Sequence, residues 1–210
     1  MERLTQNRTA IIVVALLMIS ALHANGQSHG RSLERHIAVT LFDEHIAAPF
    51  SVRSDSPAHW GLSVSLETLR RVENPLQYSN VIQLGYYYHQ NFNQVAFLAW
   101  KPKFELRFAN IISVHAMPGI GYAHSFPTQT SYKLEQGKYR KTTNRGKSHA
   151  MPSLGFGAGV NLYRIWGVPM EVFGRYEFFG LAPYSLNGSI PVTLNTMTSL
   201  GIRFSISRKF

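Results

Sequence analysis

The sequence predicts an all-β protein, an eight-stranded antiparallel transmembrane β-barrel, and three observations point there. Apolar and non-apolar residues alternate with period two in segment after segment from Arg35 onward, the pattern of strands with two unlike faces. One face of these segments holds glycine, serine and charges of both signs, while the other carries Trp, Tyr and Phe near the segment ends. A soluble sandwich or barrel hides its apolar face and shows charge to water. An apolar face edged with aromatics suits lipid instead. Finally, the links between segments alternate between long and short, as in barrels with short turns on one side of a membrane.

Taken in order, the first expected strand is RHIAVTLFD, where Ile37, Val39 and Leu41 alternate with Ala38 and Thr40. In HWGLSVSLETLR, Trp60, Leu62, Val64 and Leu66 oppose Gly61, Ser63, Ser65 and Glu67. NVIQLGYYYHQ sets Ile82, Leu84, Tyr86 and Tyr88 against Gln83, Gly85, Tyr87 and His89. QVAFLAWKPKFELRF sets Leu98, Trp100, Phe104, Leu106 and Phe108 against Lys101, Lys103, Glu105 and Arg107. IISVHAMPGIGYAHSF opposes Ile112, Val114, Ile120 and Tyr122 to Ser113, His115, Gly119 and Gly121. MPSLGFGAGVNLYR opposes Leu154, Phe156, Val160 and Leu162 to Ser153, Gly155, Gly157, Gly159 and Asn161. MEVFGRYEFFG opposes Val172, Tyr176 and Phe178 to Glu171, Arg175 and Glu177. The last strand, SLGIRFSISRKF, turns Leu200, Ile202, Phe204 and Ile206 one way and Arg203 the other. Pro102 and Pro118 lack a ladder donor and are expected in bulges or beyond the apolar band.

If the last strand runs inward, Asp43 to Ala58, Gln90 to Asn93, Pro127 to Ala150 and Gly180 to Val192 are outer links. Arg71 to Ser79, Ala109–Asn110 and Ile165 to Pro169 are then the short inner ones. An even strand count places both termini on the inner side.

The 210 residues suit one domain, and the absence of cysteine removes disulfides and thiolate metal sites. The start reads as targeting. Arg3 and Arg8 precede the uncharged run Ala10 to Leu22, and Ala24 and Gly26 form a −3/−1 pair for cleavage before Gln27. Residues 1–26 are thus a signal peptide, 27–34 an N-terminal periplasmic segment and 35–210 the barrel. That run of 13 is too short for a membrane helix of ~20 residues. Cleavage leaves 19 basic and 10 acidic residues, a net of +9. In an exported protein this charge points to anionic headgroups and lipopolysaccharide phosphates rather than nucleic acid.

The alternation ending in Phe210 resembles the terminal-strand signal of bacterial outer-membrane β-barrels. The segments GYYYHQNF, PGIGYAHSF, MPSLGFGAGVNLY and TSLGIRFSI are similar to those of small, largely uncharacterised members of that class. The resemblance implies an outer-membrane location and assembly by the barrel-assembly machinery, with Phe210 as signal. It implies no activity.

Four groups carry candidate chemistry. Glu67, Lys101, Lys103, Glu105, Arg107, Glu171, Arg175, Glu177 and Arg203 share the non-apolar face and are expected inside as a paired charge network. Inward Gly155, Gly157 and Gly159 leave room for bulky neighbours such as Tyr87 and Phe173, or for a narrow channel. His89, His124 and His149 are expected at the outer rim, the last in the long loop, where a histidine could act as general base. Outer-membrane lipid A deacylases carry His-x-Ser, which is absent; the dipeptides His124–Ser125 and Ser148–His149 have the wrong spacing, and adjacent strand residues face opposite sides. Asp55, between Ser54 and Ser56, only faintly resembles the Asp-Ser of palmitoyltransferases. The long outer link gathers Lys133, Lys138, Arg140, Lys141, Arg145 and Lys147 with Tyr132 and Tyr139 against one Glu135, a set able to clamp phosphates. Asp43, Glu44 and His45 make too incomplete a set for a metal and read as loop. The expectation is therefore a structural or surface-binding barrel in contact with lipid and lipopolysaccharide, without cofactor. A lipid-modifying enzyme with a rim histidine and a small-solute channel are the alternatives.

Overall fold

The computed structural model describes residues 34–50, 58–73, 75–89, 93–128, 131–135, 138–142, 146–183 and 192–206. The strands are β1 (Arg35–His45), β2 (His59–Glu73), β3 (Leu76–Tyr88), β4 (Asn93–Phe108), β5 (Ile112–Pro127), β6 (Ser131–Glu135), β7 (Lys138–Thr142), β8 (Lys147–Asn161), β9 (Met170–Leu181) and β10 (Thr193–Ser205). Eight of them close an antiparallel barrel in the order β1-β10-β9-β8-β5-β4-β3-β2, and β6 pairs with β7 as a separate hairpin. The barrel closes between β1 and β10 over ten register pairs, from His36 opposite Ser205 to His45 opposite Thr196. The Ile206 N–H extends that seam by donating to Arg35 O at 2.8 Å.

The two faces of the wall are inverted relative to a soluble barrel. Outward Trp60, Leu84, Ile120 and Leu200 are each 57% exposed or more, while inward Lys101 and Glu177 are wholly buried. Water would penalise that apolar exterior, and lipid would not. The protein is a transmembrane β-barrel. Trp60, Tyr86, Tyr88 and Tyr122 edge the exposed band toward the long links, and Phe104, Phe108, Tyr163 and Trp166 edge it toward the short ones. These are the two aromatic girdles of such barrels.

The short links are tight. Between β4 and β5 the link is three residues, 109–111, one more than expected. The backbone reverses at Ala109 (φ 49°) and Asn110 (φ 55°), both in the left-handed region that suits strand twist. The Ile111 N–H donates to Phe108 O at 3.0 Å before Phe108 pairs with Ile112. One helical turn, α1 (Tyr163–Trp166), precedes β9 and ends at Gly167 (φ 72°), whose N–H donates to Tyr163 O. Glycine serves there because a side chain at that φ is strained. The link expected from Arg71 to Ser79 shrinks to residues 74–75, because β2 and β3 stay paired to Glu73 and Leu76, with a register shift between Leu69 and Arg71.

Two expectations need correction. Pro102 and Pro118 occupy neither bulges nor positions beyond the apolar band, since exposed Trp100 and Phe104 flank Pro102 and exposed Ile120 follows Pro118. The β4–β5 ladder holds one register on both sides of a gap, Trp100 opposite Ile120 and Phe104 opposite Ala116, which sets the two prolines opposite each other. Neither ring nitrogen carries a proton, so the missing ladder bonds share one place and strand no buried N–H. The second correction concerns the long link from Pro127 to Ala150. It contains the β6–β7 hairpin, and its end from Lys147 belongs to β8. His149 is therefore a wall residue.

The interior is layered. Toward the long links it is apolar: Phe42, Tyr87, Val95, Phe97, Ala123, Met151, Phe179, Leu181 and Met197 form one buried cluster. Glycine makes this filling possible, since a Cβ on Gly61 would lie 2.2 Å from Phe42 and one on Gly85 2.3 Å from Phe97. Below this layer come the buried charges.

Candidate functional site

The charge layer is built by inward positions of β2, β4, β9 and β10. Arg203 Nη1 donates to both Glu67 oxygens at 3.1 and 2.9 Å and to Glu105 at 3.0 Å, and Nη2 reaches Glu105 and Glu171. Lys103 pairs with Glu67 at 3.2 Å and with Glu105. Arg107 Nε lies 2.5 Å from Glu105 and its Nη2 3.6 Å from Glu171. Ser79 and Ser113 hydroxyls donate to Glu67 at 2.7 Å and Glu171 at 2.9 Å. Three carboxylates thus meet three cations. One level up, Lys101 joins Glu177 and donates to Gln83 at 2.7 Å, and Gln83 donates to Ser63 at 2.8 Å. Arg175 lies 3.6 Å from Glu177 and 5.9 Å from the centroid of the Phe173 ring. Pairing of this density lets charges exist in a low-dielectric interior, and it makes each partner costly to remove.

This layer leaves little space. The cavity among Glu67, Lys103, His115, Arg175 and Arg203 measures about 20 Å³, room for about one water.

The histidines part company. His89 stands at the mouth, its ring stacked on His59 at 3.5 Å, with His45 5.8 Å from His59. Burial, then the nearby His59 and His45, hold its pKa below the ordinary imidazole value. Asp43 ties this mouth together: Oδ1 accepts the His59 backbone N–H at 2.8 Å, and Oδ2 lies 2.9 Å from His45 Nε2. Beside it Glu44 faces inward at 1% exposure, and among the described residues neither of its carboxylate oxygens has a hydrogen-bond partner. Glu44 stands level with His59, one residue beyond the Trp60 girdle. There, burial and then Asp43 push its carboxyl up to about 8. The sequence reading, which took Asp43 to His45 as loop, missed this buried acid. The period-two alternation of β1 does extend to it.

His124 and His149 occupy opposite faces of the wall. The dipeptides His124–Ser125 and Ser148–His149 run antiparallel beside each other, with His124 opposite Ser148 and Ala123 opposite His149. Each histidine thereby meets the serine of the other strand, which spacing along one strand could not reveal. On the lipid side, Tyr122 OH lies 2.8 Å from Ser148 Oγ and 3.2 Å from His124 Nδ1, and His124 Nδ1 is 3.3 Å from Ser148 Oγ. On the inner side, His149 Nδ1 lies 2.8 Å from Pro183 O and Nε2 2.8 Å from Ser125 Oγ. A carbonyl only accepts, so Nδ1 carries the proton and Nε2 takes the Ser125 hydroxyl. Buried as it is, this pair fastens the β9 end to β5 and β8.

Of the basic cluster, Lys133 stands opposite Arg140, Tyr132 opposite Lys141 and Glu135 opposite Lys138 in backbone register. Lys147 begins β8 and is exposed. Arg145, Ser54 to Ser56, Phe210 and the signal segment lie outside the described residues. Among the described residues no group of three or more histidine or carboxylate side chains is placed to hold a metal ion.

No family model matches the chain. No curated protein matches it either. Among solved structures it is similar to Neisserial surface protein A (9% identity, 83% of this chain and 97% of that one, TM-score 0.47). It is also similar to Ail, the attachment invasion locus protein of Yersinia pestis (11%, 84% and 100%, TM-score 0.47), and to the outer membrane enzyme PagL (13%, 80% and 98%, TM-score 0.46).

Proposed function

We propose that this chain is an outer-membrane barrel of a Gram-negative-type envelope, exported through the signal segment 1–26, with a structural and surface-binding role. The observation that carries the reading is a closely packed interior together with a basic β6–β7 hairpin in the long link between β5 and β8. Among the described residues the apolar and charged layers leave space for about one water, which favours a function at the surface. There Lys133, Lys138, Arg140 and Lys141 stand on β6 and β7, with Arg145 and Lys147 following in sequence. Arginine and lysine at this density suit the phosphates of lipopolysaccharide or a like anionic surface polymer. Phe210 is the residue we assign to recognition by the barrel-assembly machinery.

The test is binding of folded protein to lipopolysaccharide micelles. Lys133→Glu with Arg140→Glu is expected to weaken binding at least tenfold and to flatten its salt dependence, because exposed charge pairing is screened. Unchanged binding removes the hairpin from the function.

A second reading, a lipid-modifying enzyme, is favoured by one observation, the Tyr122–His124–Ser148 cluster at the outer girdle. Its histidine is His124 and not His89, which stacks on His59. Labelling of Ser148 by a fluorophosphonate, abolished in His124→Ala, would support it; an unlabelled protein excludes a nucleophilic serine there.

A further inference from the structure

The mouth of the barrel carries a carboxylate that the functional reading leaves unused. Glu44 lies over the apolar layer of Phe42, Tyr87, Leu181 and Met197, fully buried, with both oxygens unpartnered among the described residues. An ionised carboxylate in such a place is strongly unfavourable without a countercharge. The recess it faces is lined also by Ile46, Tyr87, Asn93, Leu181, Thr193 and Asn195. Every polar side chain on that list offers oxygen: two amides, one phenol and one hydroxyl. Among the described residues no imidazole and no cationic side chain lines it. Asp43, next in the chain, adds a second negative charge to the field while its own oxygens are held by the His59 N–H and His45.

The recess is too tight for a water molecule. A bare cation that draws oxygens to 2.3–2.6 Å needs less space than a water at hydrogen-bonding distance. The donors come from β1 and β10, which pair along the closing seam, and from β4, which neighbours neither of them in the wall and meets them only across the mouth.

We propose that this recess is a calcium site, in which the Glu44 carboxylate and oxygens of Asn93, Thr193 and Asn195 hold one ion. Calcium is favoured over transition metals because the donors are hard oxygens, and over magnesium because the recess has no room for the waters that magnesium keeps. A single direct carboxylate places the affinity in the range of extracellular calcium modules, Kd about 10⁻⁴–10⁻³ M. The ion would tie three strand ends together where the wall has no turn to join them.

The test uses the full chain folded in detergent, freed of lipopolysaccharide and stripped with a chelator. Binding of CaCl2 is then measured by equilibrium dialysis, with MgCl2 and NaCl at equal ionic strength as comparisons. The expected result is one calcium per chain, weakened at least tenfold in Glu44→Gln. Folding of the variant is checked by its heat-dependent gel mobility. Should Glu44→Gln fail to fold, Asn195→Ala and Asn93→Ala replace it, each expected to weaken binding several-fold. Absence of saturable calcium binding, equal binding in the variants, or preference for sodium or magnesium each overturns the proposal. The first of these would mean that Glu44 is buried as the neutral acid.

Discussion

Replacing Glu44 by glutamine should change how stability depends on pH, in a direction and amount that the mouth geometry sets. The carboxyl moves from an ordinary 4.5 to about 8 on folding, through burial and then Asp43. Below about pH 4.5 it is protonated in both folded and unfolded chains, so the wild-type protein carries no penalty from it. Between about 4.5 and 8 the unfolded carboxyl ionises while the folded one keeps its proton, and each pH unit removes about 1.4 kcal/mol of stability. The loss should reach about 3 kcal/mol at pH 7 and level off near 5 kcal/mol above pH 8. Glutamine has the same shape and no titration. The difference between variant and wild type should therefore grow in favour of the variant from pH 4 to 8, while other titrating groups cancel. Urea unfolding in detergent with chelator present, followed by tryptophan fluorescence, measures it. A difference curve flat across pH 5–8, or one that favours wild type as pH rises, would refute the argument from burial. Calcium, if bound, should flatten the wild-type curve by supplying the countercharge.

Other perturbations test the rest of the interior. Arg203→Met leaves Glu67, Glu105 and Glu171 with only Lys103 and Arg107 and should cost about 3–5 kcal/mol in urea unfolding; a loss under 1 kcal/mol would mean that the network relaxes freely. Gly61→Val forces a side chain where Phe42 now lies 2.2 Å from the Cβ position and should cost about 1–3 kcal/mol, with part recovered by adding Phe42→Leu. Folded protein in planar bilayers should show no steady conductance steps, and a stable open level would contradict the filled interior. His149→Ala removes the contacts to Ser125 and Pro183 and should expose the Leu181–Pro183 segment to protease before the barrel melts.

Most of the wall was legible because a strand's side chains have period two. Once Trp60, Leu84 and Leu200 are placed outward, Glu67, Lys101 and Arg203 have only one other side to occupy. What alternation does not carry is register. A slip of one residue changes every cross-strand neighbour, so neither the meeting of His124 with Ser148 nor that of Pro102 with Pro118 could be read along a single segment. The ends of elements were harder to read. Residues 131–142 read as a basic outer link or hairpin extension without strand limits, because β6 and β7 are five residues each and rich in charge. Asp43 to His45 read as loop because two adjacent acids and one imidazole make an incomplete set for a metal. Glu44 among them is the feature with the most to say about ligands.

Arg203 has a consequence for the order of assembly. It sits on the last strand, yet its partners Glu67 and Glu105 lie 136 and 98 residues earlier. While β10 is undocked, the three carboxylates of the lower interior face two cations, and the unclosed wall holds a surplus of negative charge. Docking β10 against β1 and β9 delivers the balancing guanidinium together with two rows of backbone hydrogen bonds. Chain closure across such separations is entropically slow, so an electrostatic reward reserved for the final strand favours completed cylinders over open sheets. A chain stopped before Arg203 should accumulate as an unclosed sheet even with seven sound strands.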